Sequence, residues 1–122
     1  MTTALLADTL PHSLVGFAHD SERRFAAMLD FYGIEWQYEP RTFVLDEDAG
    51  GVRSAFTPDF YLPAFDFYVE LTTLRQKLVT KKNRKARRLR EQYPDVQLRV
   101  LYQRDIAALL ARGAAGPAPA SR

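Results

Sequence analysis

Two carboxylates on either side of a short turn are the residues of this sequence best placed to do chemistry. Asp59 ends one run of strand-forming residues, and Glu70 lies near the end of the next. The turn at Leu62-Pro63-Ala64 makes the two runs neighbouring strands, so both side chains can approach one metal ion. The backbone carbonyl of Leu71 could add a third oxygen. Oxygen ligands of this kind favour Mg²⁺ or Mn²⁺, and the sequence therefore predicts a divalent metal site here.

A lysine near that metal would complete a site for phosphodiester hydrolysis. Apolar residues recur at helical spacing over residues 78–93, which predicts a helix. Lys82 falls within the apolar stripe of this helix and Lys85 lies at its border. Beside a metal, either ammonium would stabilise the negative charge that develops as a phosphodiester is attacked. The alternative is that the lysine stems are packed while their charged ends reach water.

A third acidic residue comes from the preceding helix. That helix is predicted over residues 21–32, with Ser21 as its N-cap and Gly33 as its C-terminal stop. Glu22 falls on the apolar face, which must point inward. It could hold a second metal or its waters, although a glutamate in a first helical turn also favours the helix dipole and needs no other role.

The remaining elements complete a mixed α/β pattern. A strand or pair of strands is predicted within residues 34–45, and a turn over residues 46–51. The other predicted elements are strands over 55–61, 65–72 and 96–102 and a helix over 105–112. The crossover from the second of these strands through the helix at 78–93 favours parallel pairing with the third, so we expect a mixed sheet flanked by helices.

Composition narrows the class of protein. The chain has 122 residues, a net charge of +2 and no cysteine, which excludes disulfides, thiolate zinc sites and a cysteine nucleophile. We expect an irregular N-terminal segment over residues 1–20, one domain over 21–112 and a disordered tail over 113–122. No signal peptide or membrane span is predicted, and a cytoplasmic location is expected.

Positive charge is concentrated in one segment. From Thr72 to Arg90 there are nine Lys and Arg residues and no acid. This segregation favours a polyanionic partner over a solvated helix face, because solvated helices usually mix charges of both signs. The residues predicted to bind nucleic acid are Lys77, Lys81, Arg84, Arg87 and Arg88.

Pro58-Asp59 and Glu70-Leu71-Thr72, with Glu22 on a preceding helix, resemble the PD-(D/E)XK nuclease superfamily. The similarity covers about residues 20–105 and is greatest to small members such as transposon-encoded endonuclease subunits and junction resolvases. It implies a restriction-endonuclease-like αβββαβ core and Mg²⁺-dependent hydrolysis of DNA. It also implies that Asp59 and Glu70 bind the metal and that Glu22 is the acid of the first helix.

Thr72 departs from the family pattern, which has lysine at this position. A threonine hydroxyl carries no charge and cannot replace an ammonium. Either the lysine has moved to the following helix, with Lys82 the first candidate and Lys85 the second, or the protein binds nucleic acid without cleaving it. The expected partner is duplex or branched DNA, together with a second copy of the chain or a partner protein. A weaker alternative is a structural domain whose basic helix contacts an acidic protein.

Overall fold

A computed structural model describes residues 11–72 and 76–114, without the side chains of residues 76–79, 110 and 112–114. The described part of the chain is a mixed α/β structure with a mixed sheet and three α-helices. The helices are α1 (Asp20–Phe31), α2 (Gln76–Gln92) and α3 (Gln103–Ala114). The strands are β1 (Gln37–Tyr38), β2 (Phe43–Asp48), β3 (Gly51–Phe56), β4 (Phe60–Leu62), β5 (Phe67–Thr72) and β6 (Leu98–Tyr102). None of the described helices is long and apolar enough to cross a membrane.

The chain divides into two compact units, and the first contains α1 and most of α3. α1 begins one residue before the predicted N-cap, Ser21, which was therefore assigned wrongly; His19 takes that position in extended backbone. Gly33 follows the helix with φ of +71°, a conformation that favours glycine, so the predicted stop is confirmed.

A 3-10 turn precedes α1 in the same unit. It spans Pro11–Ser13, and His12 is tied to Asp30 by its backbone amide at 2.9 Å and its ring Nδ1 at 2.8 Å. The predicted irregular segment thus contains this turn in its described half, while residues 1–10 lie outside the described residues. Of the predicted tail, residues 115–122 also lie outside them.

The second unit runs from Trp36 to Gln103 and contains both sheets. The larger sheet has the order β1-β4-β5-β6, in which β5 and β6 are parallel and the other pairs antiparallel. α2 connects β5 to β6, so the predicted parallel crossover is confirmed.

Strands β2 and β3, which were predicted on either side of a turn, form a hairpin that is a sheet of its own, whereas a single mixed sheet was predicted. The predicted turn at residues 46–51 was too long, because β2 continues to Asp48 and β3 resumes at Gly51. The reversal is held by Asp48 Oδ1, which accepts the amide of Gly50 at 2.8 Å, while Gly51 adopts φ of +119°.

One predicted strand is broken. The strand predicted over residues 55–61 divides into the end of β3 and β4, because Pro58 has no N–H to donate to a ladder. Of the two alternatives for residues 34–45, the pair of strands is confirmed: β1 and β2 are separated by Glu39, which has φ of +47°, and Pro40. β6 begins at Leu98, two residues later than predicted.

The connection between β4 and β5 is a turn over residues 63–66. Asp66 adopts φ of +53°, and its carboxylate accepts the hydroxyl of Tyr61 at 2.7 Å. That hydrogen bond raises the pKa of the exposed Tyr61 phenol above its ordinary value.

One hydrophobic core holds the hairpin, α2 and the larger sheet together in the second unit. Its buried members are Phe43, Leu45, Phe56, Ala86, Leu89 and Leu98. Phe43 makes edge-to-face contacts with Tyr68 and Tyr93. The same core therefore fixes the three elements β3, β5 and α2 relative to one another.

Candidate functional site

Asp59 and Glu70 meet at a buried corner where β4 begins and β5 ends. The antiparallel register pairs Phe60 with Val69, so one further step places Asp59 opposite Glu70. The amide of Asp59 donates to Glu70 Oε1 at 3.1 Å, and the amide of Leu71 donates to Asp59 Oδ2 at 2.8 Å. These two bonds fix both carboxylates, and we call Asp59, Glu70 and the Leu71 carbonyl the acidic corner.

Lys82 reaches the acidic corner from α2. Its ammonium forms an ion pair with Glu70 Oε2 and donates to the carbonyl oxygen of Leu71 at 3.1 Å. The Glu70 side chain is only 4% exposed and that of Lys82 is 26% exposed. Because burial of an unpaired carboxylate is costly, this pairing offsets the loss of solvent around Glu70.

A cleft of about 330 Å³ opens beside the corner. Its lining consists of Ala55, Phe56, Thr57, Glu70, Lys81, Lys82 and Lys85, and we call it the lysine cleft. Lys85, the second lysine candidate, donates to the carbonyl oxygen of Ala55 at 3.0 Å. Because lysines outnumber acids along this lining, the cleft favours an anionic group such as a phosphate.

The acidic corner has a donor set that suits a divalent cation. Glu70 Oε2 and the Leu71 carbonyl already converge on one positive charge, the ammonium of Lys82. With Asp59 adjacent, the corner offers only oxygen, and Mg²⁺ takes few such ligands from protein and the rest from water and phosphate. No cluster of three or more His, Asp or Glu residues suited to a metal occurs among the residues the structure describes. Asp59, Glu70 and the Leu71 carbonyl could hold only an ion that takes most of its ligands from water or phosphate.

Glu22 lies in the first turn of α1 and is 5% exposed. Its predicted inward orientation is confirmed by this burial. It belongs to the first unit, whereas the acidic corner belongs to the second. Its participation in metal binding therefore stays a prediction.

Thr72 lies two residues beyond Glu70 on β5 and is 2% exposed. Its hydroxyl oxygen is buried and has no hydrogen-bond partner within the described chain. A buried hydroxyl with no partner among the described residues is uncommon in folded proteins.

The predicted nucleic-acid-binding residues on α2 fall into two groups. Lys81, Arg84 and Arg87 are exposed. Arg88 is half-buried and donates to the carbonyl oxygen of Leu45 at 2.8 Å, which attaches it to the β2–β3 hairpin. The side chain of Lys77 lies outside the described residues.

One wall of the lysine cleft was missed by the sequence reasoning. Ala55, Phe56 and Thr57 border the cleft at the end of β3, opposite α2. No residue type among them indicates a functional role, and their position depends on how the β2–β3 hairpin packs beside α2, which the sequence did not indicate. Only the spacing of Lys82 and Lys85 pointed to this side of the site.

Comparison with protein-family models, curated proteins and solved structures found no significant match for this chain. Functional inference therefore depends on the geometry of the acidic corner and the lysine cleft.

Proposed function

We propose that this protein is a Mg²⁺-dependent DNA endonuclease with a restriction-endonuclease-like core of the PD-(D/E)XK type. The observation that carries the proposal is the convergence of Asp59, Glu70, the Leu71 carbonyl and Lys82 at one corner. Carboxylates on two neighbouring strands and a lysine from the next helix match the residue types that phosphodiester hydrolysis requires.

Each residue of the site has a distinct part in the proposed reaction. Asp59, Glu70 and the Leu71 carbonyl would hold the cation, which when bound lowers the pKa of a coordinated water and polarises the phosphate. Lys82 would stabilise the charge that develops on the phosphate oxygens. The lysine cleft would seat the phosphate, with Lys85 fixed against β3.

The exposed face of α2 would bind the DNA backbone. Binding through the exposed Lys81, Arg84 and Arg87 would show no preference for DNA sequence, because ionic contacts to phosphates do not distinguish one base from another. Duplex or branched DNA is the proposed substrate. Cutting both strands would require a second copy of this chain or a partner protein.

Cleavage of DNA tests the proposal. Supercoiled plasmid, single strands and four-way junctions would be incubated with Mg²⁺, with Mn²⁺ and with EDTA. We expect metal-dependent cleavage that Asp59→Ala and Glu70→Ala each abolish. Glu47→Ala, which removes an exposed carboxylate from the hairpin, is the matched control and should cleave normally. Cleavage that survives both corner substitutions would place the active site elsewhere.

The second candidate is a non-cleaving DNA-binding module on the same fold. Thr72 in place of the motif lysine favours it, since the strand then supplies no charge to the corner. This candidate predicts salt-dependent binding without metal and no hydrolysis of any of the three DNA forms. It also predicts that Mn²⁺ leaves the melting temperature unchanged, whereas a nuclease site should be stabilised by Mn²⁺ and lose that effect in Asp59→Asn.

A further inference from the structure

Lys82 contacts two of the oxygens that the proposed function assigns to the metal. Its ammonium pairs with Glu70 Oε2 and donates to the Leu71 carbonyl at 3.1 Å. We propose that Lys82 is a resident cation that a divalent ion must displace, so that metal binding itself releases the lysine into the lysine cleft. This inference deepens the proposed function and rests on its metal site.

The two cations exclude one another for geometric reasons. Mg²⁺ requires oxygens at roughly 2.0–2.1 Å. An ion at that distance from both Glu70 Oε2 and the Leu71 carbonyl would lie where these oxygens now face the Lys82 ammonium. Two positive charges so close repel strongly in a partly buried site. The ion pair of Lys82 with Glu70 must therefore open before the metal binds.

The displaced Lys82 ammonium can move into the lysine cleft. Lys82 lines the cleft of about 330 Å³ as well as contacting the acidic corner. Its flexible four-carbon stem lets the ammonium move without a shift of α2. A DNA phosphate in the cleft would form an ion pair with the released Lys82 ammonium. Metal and DNA should therefore bind with positive cooperativity. Metal alone should bind weakly, because it must compete with the ion pair.

Removal of the lysine charge tests the competition directly. Mn²⁺ affinity, measured by calorimetry on the DNA-free protein, should rise at least about tenfold in Lys82→Met, as expected for the loss of a charged hydrogen bond that opposes binding. Lys85→Met removes one charge from the same cleft, but that ammonium donates to Ala55, so its affinity should stay within about threefold of the wild type. An unchanged affinity in Lys82→Met, or an equal gain in both variants, overturns the proposal.

A measurement on the unaltered protein covers the case in which Lys82→Met fails to fold. Lysine acetylation would be followed residue by residue by mass spectrometry, with and without saturating Mg²⁺. The rate at Lys82 should increase with Mg²⁺ relative to the rate at the exposed Lys81. An unchanged or slower rate at Lys82 would count against displacement.

These results separate the inference from the proposed function. Wild-type cleavage with no gain of Mn²⁺ affinity in Lys82→Met removes the displacement mechanism and leaves the nuclease. A gain of affinity in a protein that cleaves none of the tested DNA supports displacement and removes the nuclease.

Discussion

At the scale of single residues, the site contains two carboxylates that are hydrogen-bonded and one buried hydroxyl, that of Thr72, that is not. Asp59 and Glu70 each accept a hydrogen bond from a backbone amide. The buried hydroxyl of Thr72, in contrast, has no hydrogen-bond partner in the described part of the chain. Burial of a hydroxyl without a hydrogen bond costs free energy of folding. Thr72 is therefore a poor choice for stability alone.

Replacement of Thr72 by valine should not destabilise the protein. Valine keeps the branched shape and removes the unpaired oxygen, so the free energy of unfolding should stay the same or rise by about 1 kcal/mol. Urea denaturation followed by circular dichroism measures this change. A loss of more than about 1 kcal/mol would show that the hydroxyl has a partner, such as a buried water.

The lysine can be returned to the strand as a second test at this scale. Lys82→Ala should lower the single-turnover cleavage rate on the order of 10²–10³-fold, the usual effect of one lost electrostatic donor. Adding Thr72→Lys should recover part of that loss, since residue 72 lies two positions beyond Glu70 on the same strand. Arg104→Ala, which removes an exposed positive charge from α3, is the control and should retain most of the activity. A full rate in Lys82→Ala would remove Lys82 from the proposed catalytic site.

At the scale of elements, α2 has two distinct sets of polar residues. In the first set, Arg88 and Gln92 both donate to the Leu45 carbonyl at 2.8 Å, and Tyr93, just beyond the helix, donates to the Val44 carbonyl at the same distance. These bonds attach the β2–β3 hairpin to the helix. The second set, Lys81, Arg84 and Arg87, is exposed and forms the proposed surface for DNA.

Substitutions in the two sets should therefore separate DNA binding from stability. Arg84→Ala and Arg87→Ala should each lower the slope of log affinity against log salt concentration by roughly 0.9, while changing stability little. Arg88→Ala should lower the free energy of unfolding by about 1.5–3 kcal/mol, because it removes a charged hydrogen bond. Fluorescence anisotropy across a salt series and urea denaturation measure the two effects. Equal salt slopes in all three variants would contradict the division.

The sequence predicts those features that residues close together in the chain determine, and not those that depend on contacts between distant residues. The approach of Asp59 to Glu70 could be predicted, because a short turn joins their strands. The inward stripe containing Lys82 could be predicted from helical periodicity. The full length of the β2–β3 hairpin and its separation from the larger sheet could not be predicted, since Asp46-Glu47-Asp48 contains poor strand formers and the register of β2 with β3 shifts twice between Val44 and Glu47. The hydrogen-bond acceptors of Arg88 and Lys85 lie on that hairpin, so these contacts could not be predicted either.

At the scale of the whole molecule, the acidic corner and the lysine cleft belong to one of the two compact units. Their elements share the core of Phe43, Leu45, Phe56, Ala86, Leu89 and Leu98. This core of six buried residues, with Tyr68 of β5 packed against it, fixes β3, β5 and α2 relative to one another. Loss of packing at its centre should therefore affect the fold and the site in one step.

Leu89 is the residue with which to test this coupling, because its side chain is fully buried on α2. Leu89→Ala should lower the free energy of unfolding by about 2–5 kcal/mol through lost burial and the cavity left behind. Leu89→Met keeps the volume and should cost less than about 1.5 kcal/mol. Urea denaturation measures both, and Mn²⁺ binding followed across the same transition should disappear at the same midpoint as the helical signal. Metal binding that persists beyond that midpoint would show that the corner forms without the core.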